Sequence, residues 1–269
     1  MLDNFELPNE VISKAYDDII HPAASEIGKT FELIPRAINA ALAPLETWIL
    51  KKEYNINQVK IELGKSLSTV DPNKIVSPDS YVAVPALQAI SYSMSNKELC
   101  SLYANLLAKS MVSDTKERVH PAFVEIIKQL SPNDALVLKS CSTRGAIPVA
   151  TLSIAMLRKG MYIVDSPREQ QFYPNLISDI IISSVSEEQI RVSLDNLLRI
   201  GLDHLNDFVL KDYLPYSFVE SSEVYSKASA DFERLNADEP TADCINIAKK
   251  CLTITELGEQ FCNICINGF

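Results

Sequence analysis

The chain has 269 residues, 47% hydrophobic and 22% charged, a globular composition rather than a disordered one. Its 25 Lys and Arg face 35 Asp and Glu, and the formal net charge of −10 argues against a dedicated nucleic-acid binder. With only 7 Gly and neither G-x-G-x-x-G nor G-x-x-x-x-G-K-[ST], a dinucleotide or phosphate loop has no support, and no cofactor is expected.

The first residues, MLDNFELPNEV, are acidic and lack the basic and apolar regions of a secretory signal. Six cysteines without such a signal read as reduced thiols, so the expected location is cytoplasmic. Residues 8–68 read as helices punctuated by Pro22, Pro35 and Pro44. Asp17, Asp18 and His21 have the helical spacing of metal ligands, but no second motif completes a set, so no metal site is assigned.

The apolar stretch Phe31–Leu50 carries Glu32, Arg36, Glu46 and two prolines, too polar for an independent transmembrane helix. Its ordinary role is a core helix of an N-terminal domain. A sharper expectation is that Phe31, Ile34, Ile38, Leu42, Leu45 and Trp48 are released on activation and touch the inner membrane. Trp48, beside Lys51 and Lys52, suits a headgroup boundary.

Residues 71–80 (DPNKIVSPDS) form a loop, with two X-Pro pairs among turn formers. Leu99, Leu102, Tyr103, Leu106 and Leu107 then draw one apolar stripe along a helix, with Ser95 and Glu98 spaced as a capping box. His120-Pro121 opens a helix through Phe123, Ile126, Ile127 and Leu130. Ser131-Pro132-Asn133-Asp134 restarts another, with Ser131 as cap and Asp134 in the first turn. Two helices meeting at Leu130-Ser131 must turn sharply.

Beyond residue 143 the texture changes. Ser186-Glu187-Glu188-Gln189 is a capping box for a helix carrying Ile190, Leu194, Leu197 and Leu198 and stopped by Gly201. Phe208-Val209-Leu210 and Cys251–Ile254 have strand character, the intervening 212–240 is a polar excursion, and Thr255–Phe261 opens a last helix. The expected fold is mainly α: a helical domain over 1–142, then a winged-helix-like α+β domain over 143–269 with an enlarged wing. That order includes a short helix between the turn at 142–145 and the helix opened by Ser186.

The blocks E-L-C-S-L-Y-A-N-L-L-A-K-S-M (98–111) and V-H-P-A-F-V-E-I-I-K-Q-L-S-P-N-D-A (119–135) resemble the bacterial Abi-alpha, or abortive infection alpha, family. The final L-T-x-x-G-x-x-F element fits it less specifically. The resemblance implies a bacterial protein tied to phage defence by arrest or death of the infected cell, and it implies no catalytic residues. Asn105, His120 and Asp134 are the polar members of these blocks and the candidate binding residues. Their plainer readings are a helix–helix tie for Asn105 and a helix cap or buried imidazole for His120.

Enzyme signals are weak. Cys262-x-x-Cys265 with Cys244 and Cys251 is spaced poorly for zinc, and small buried thiols account for it better. Arg199-x-x-x-x-His204 has the loose spacing of a HEPN-type ribonuclease motif, but Gly201 interrupts the helix that motif wants. There is no G-x-S-x-G and no H-E-x-x-H.

Three functions remain open. The first is a non-enzymatic defence protein acting through protein contacts, self-association or membrane disturbance. The second is a winged-helix DNA-binding regulator using Gln189–Ile200 as its recognition helix. Residues 130–269 hold 12 basic and 19 acidic residues, a net of −7, which argues against the second. The third is a nuclease-type toxin whose site assembles only in three dimensions.

Overall fold

A computed structural model of the chain describes residues 33–42, 56–93, 96–158, 161–162, 170–207, 216–237 and 242–268. Asp17, Asp18, His21, Phe31, Leu45 and Trp48 lie outside these residues, as does the side chain of Leu42. The fold is mainly helical with one antiparallel sheet. It comprises two compact units: Met1–Ser95 with Cys100–Val124 and Asn267–Phe269, and Asn96–Leu99 with Glu125–Ile266.

The helices preceding the sheet are α1 (Leu33–Leu42), α2 (Ile56–Ser66), α3 (Ser80–Ser93), α4 (Lys97–Ser110), α5 (Ala122–Lys128) and α6 (Pro132–Ser142). The α4 stripe is buried as its spacing predicts: Leu102, Tyr103, Leu106 and Leu107 are each at most 5% exposed. The cap differs by one residue from the expected box. Asn96 Oδ1 accepts from Leu99 N at 3.1 Å, while Ser95 lies outside the described residues.

The proline-rich loop before α3 is zipped to the segment after α4. Val76 N donates to Met111 O at 2.8 Å and Ser113 N to Lys74 O at 3.0 Å. Lys116 clamps the same loop through Asp79 at 2.9 Å and Ser77 O at 3.0 Å. A chain without regular structure over 75–79 thus still finds backbone partners.

Helix α6 begins as its sequence dictates. Ser131 Oγ accepts from Asp134 N at 3.2 Å, and Asp134 Oδ2 accepts from Ser131 N at 2.7 Å, a reciprocal box with Pro132 in the first turn.

The sheet lies wholly in the second unit. Its strands are β1 (Ile147–Arg158), β2 (Met161–Tyr162), β3 (Gln170–Ser178), β4 (Asp203–Asn206) and β5 (Ala242–Ile254). Side by side the order is β3-β1-β5-β4, all antiparallel, with β2 paired to the end of β1. The register runs from Ile147 opposite Leu252 to Met156 opposite Ala242. Where a short helix was expected before Ser186, the chain forms the long strands β1 and β3. Val149, Ala150, Leu152, Ile154 and Ala155 are all buried, so β1 is covered on both faces, and only Thr151-Leu152-Ser153-Ile154 alternates polar and apolar residues.

Helix α7 (Glu187–Ile200) carries the predicted box, Ser186 Oγ accepting from Gln189 N and Gln189 Oε1 from Ser186 N. It ends at Gly201, whose φ of +82° is the left-handed cap that favours glycine. The polar excursion between β4 and β5 contains α8 (Glu223–Leu235), capped by Ser222. Its Val224 and Ala228 are buried with Leu152, Ile154, Tyr173 and Ile177 of the sheet, and Phe232 and Leu235 pack at the margin.

The chain closes the unit with α9 (Glu256–Phe261) and a wider π-type turn, Cys262–Ile266. Thr255 caps α9 by accepting from Gly258 N at 3.0 Å and donates to Gly201 O at 2.7 Å. This ties the start of the last helix to the end of α7. Among the described residues no helix is long and apolar enough to cross a membrane.

Candidate functional site

Asn105, the first of the candidate residues, is half-buried on α4. Its Oδ1 accepts from Ser66 Oγ of α2 at 3.3 Å, so it links two helices of the first unit. Amid an apolar stripe, such a bond offsets part of the cost of burying an amide.

His120 is exposed at the start of α5. Its Nδ1 accepts from Ala122 N at 3.1 Å, and its ring lies 5.9 Å from that of Phe123. The imidazole thus does a capping residue's work. Phe123 below it is fully buried.

Asp134 belongs to the second unit and is 3% exposed. Besides capping α6, its Oδ2 accepts from Asn196 Nδ2 of α7 at 2.9 Å. The same Asn196 nitrogen reaches Gln129 O at 2.9 Å. Arg199 Nε and Nη2 donate to Asn196 Oδ1 at 3.0 and 2.8 Å, and Arg199 Nη1 donates to Gln129 Oε1 at 3.2 Å. Gln129, Asp134, Asn196 and Arg199 therefore form one polar knot between the turn before α6 and the exposed side of α7. Helical periodicity could not reveal it, because its halves are more than sixty residues apart.

The knot also settles the geometry of the Arg199–His204 pair. Arg199 is engaged on α7 with Asn196 and Gln129, whereas His204 is exposed on β4 beyond the left-handed Gly201. The two residues do not share a helix.

The cysteines of the last helix lie in the interior. Cys262 is 3% exposed and Cys265 is fully buried, as are Cys141 of α6 and Cys251 of β5, while Cys244 is exposed. These cysteines are thiols rather than disulfides. Among the described residues no group of three or more His, Cys, Asp or Glu is placed to hold a metal ion.

Sequence reasoning missed Asp203, the most unusual group in the second unit. It is 3% exposed, and neither carboxyl oxygen has a nitrogen or oxygen hydrogen-bond partner among the described residues. Burial lifts its pKa to about 7, opposed by a hydrogen bond from the Cys141 thiol. Burial also raises the Cys141 thiol, and the nearby Asp203 and Cys262 add to the effect. Cys262 is pushed to about 12, first by burial and then by Asp203 and Glu259. Such thiols are poor nucleophiles near neutral pH.

Two tyrosines stiffen the opposite part of the unit. Tyr173 Oη donates to Asp231 Oδ2 at 2.6 Å, joining β3 to α8. Tyr216 Oη donates to Lys250 O at 2.6 Å, and the Lys249 ammonium lies 5.3 Å from the Tyr216 ring centre.

Comparison with known proteins gives one family match. The profile of the family described as abortive infection alpha matches residues 51–265. No curated protein matches the chain. One solved structure, of an uncharacterized protein from the hydrocarbon-degrading marine bacterium Alcanivorax borkumensis SK2, is 18% identical. That alignment covers 58% of this chain and 96% of the other, with a TM-score of 0.35.

Proposed function

This chain belongs to the abortive infection alpha family, and on that premise we propose that it is a bacterial anti-phage defence protein acting without catalysis. The family match over residues 51–265 carries the defence role. The non-enzymatic reading is supported by what surrounds the family's polar residues. Asn105, His120 and Asp134 are each occupied in holding helices or caps, and the thiols of Cys141 and Cys262 are raised rather than activated.

The action is exerted through protein contacts, with membrane disturbance as its sharper form. Ile34 and Ile38 are 6% and 2% exposed in the first unit, so contact of α1 with lipid requires its release. The net charge of −10 opposes approach to anionic lipid before that release.

The second unit is read as a winged-helix-like module. Elements α6, β1, α7, β4 and β5 come in that order along the chain, with β2 and β3 inserted before α7 and α8 before β5, and β5 lies between β1 and β4. Helix α8, within the excursion over 212–240, stands for the enlarged wing. The exposed side of α7 carries Glu188, Val192 and Asp195, and its Arg199 is engaged by Asn196 and Gln129, which favours an interaction module over a reader of phosphates.

Expression in a bacterial host, with and without phage, tests the proposal when plaques, cell survival and membrane potential are scored together. Fewer plaques with death or arrest of infected cells is expected. Cleavage of RNA or nucleotides by the pure protein would overturn the non-enzymatic reading.

A further inference from the structure

Asp203 opens β4 immediately after the left-handed turn at Gly201. Three elements surround it. Helix α6 brings Cys141, and Arg144 follows that helix with its guanidinium held by Asp179 at 2.6 Å. The C-terminal helix brings Cys262, with Cys265 beneath and Glu259 one turn earlier. Strand β5 places Ile254 opposite Asp203. Arg199, the nearest cation on α7, is engaged by Asn196 and Gln129.

The carboxyl group therefore faces two thiols and aliphatic groups, with both oxygens buried and without a nitrogen or oxygen partner among the described residues. A neutral acid tolerates that setting, because its hydroxyl can donate to a sulfur and it carries no net charge. An ionised carboxylate does not, because its four lone-pair sites would have only the weak Cys141 S–H as a donor and no water. The cheapest relief for the ionised form is to let water in, and the C-terminal helix is the covering element nearest the end of the unit.

We propose that Asp203 is a proton-operated latch: its neutral form lets the C-terminal helix, residues 256–266, close over Cys141, and loss of its proton loosens that helix. The ties from Thr255 to Gly201 and Leu202 mark the hinge, since they hold the start of α9 on the end of α7. The movable part is the stretch that carries Cys262 and Cys265. The rise of Asp203 to about 7 places the change within the range of cytoplasmic pH.

Amide hydrogen exchange of the full chain tests this, read over residues 256–266 at pH 5.5 and 8.5 and corrected for the intrinsic pH dependence of exchange. Protection at least tenfold lower at pH 8.5 is expected in the unsubstituted protein, and equal protection at both pH values in Asp203→Asn. A loss of protection that persists in Asp203→Asn would overturn the proposal, as would no loss in the unsubstituted protein. Should Asp203→Asn fail to fold, the carboxyl carbon of Asp203 can be followed by NMR in the unsubstituted chain. Titration near 7 together with the tenfold loss supports the latch, and a carboxylate already ionised at pH 5 rejects it.

Discussion

Gly258 lies so close to the backbone of Leu202 that a β-carbon built on it would fall 2.1 Å from the Leu202 carbonyl oxygen. It would also meet Ile254 Cγ2 at 2.7 Å. The glycine of L-T-x-x-G-x-x-F is there for space: it lets α9 settle onto the turn after α7, where Thr255 N donates to Leu202 O at 2.9 Å. Gly258→Ala must push backbone from backbone, so it should destabilise the second unit by about 1–3 kcal/mol. Urea denaturation followed by circular dichroism measures this. An unchanged midpoint would mean that α9 docks more loosely than its hydrogen bonds indicate.

Phe123 concerns the first unit. Its side chain is fully buried behind His120. Phe123→Ala should cost about 3–5 kcal/mol through the cavity it leaves. Thermal melts of the pure variant are the measurement. If Phe123→Ala kept its full stability yet lost defence, the block around His120 would be a binding surface rather than a scaffold.

The polar knot makes a coupled prediction. Asp134→Ala removes a helix cap and should cost about 0.5–2 kcal/mol. Asn196→Ala strips Asp134, Gln129 and Arg199 of a shared partner. Because the residues touch, a double-mutant cycle of Asp134→Ala and Asn196→Ala should show a coupling of about 0.5–3 kcal/mol rather than additivity. A coupling near zero would show that the bond at 2.9 Å contributes nothing to stability.

Asp203 makes stability depend on pH in a defined direction. Its folded pKa, about 7, lies above the ordinary aspartate value of 3.8. Between those values the unfolded chain has lost the proton that the folded chain keeps. Stability from this group is thus fully present below pH 3.8 and is lost as pH rises to about 7, at up to about 1.4 kcal/mol per pH unit. Above 7 both states are ionised and the loss levels off. Asp203→Asn should flatten this slope and raise the melting temperature at pH 8 relative to the parent. A parent whose melting temperature climbs steadily from pH 4 to 7, with the same slope in the variant, would contradict the assignment.

Trp48, the only tryptophan, reports on the membrane form of the proposed function. Anionic vesicles should shift its fluorescence to the blue in activated protein and leave the resting protein unchanged. Absence of a shift under conditions where the protein arrests cells would exclude lipid contact by this segment.

What the sequence determined by itself was local. The α4 stripe, the cap at Ser131, the box at Ser186 and the stop at Gly201 all rest on residues no more than a few positions apart, so periodicity and cap chemistry suffice to read them. Asn105 and His120 were legible in the same way, as polar residues in an apolar helix and at a helix start. The tertiary structure alone decided the rest. Strand β1 is covered on both faces, which confines the alternation that would mark it to Thr151–Ile154, and its partner β5 is about a hundred residues away. Helix α8 reads as a polar excursion because only one narrow side of it, Val224 and Ala228, meets the sheet. Asp203 looks like any acidic residue after a turn. It becomes distinctive only when α6 and the C-terminal helix cover it, because burial and not residue type sets the cost of its charge.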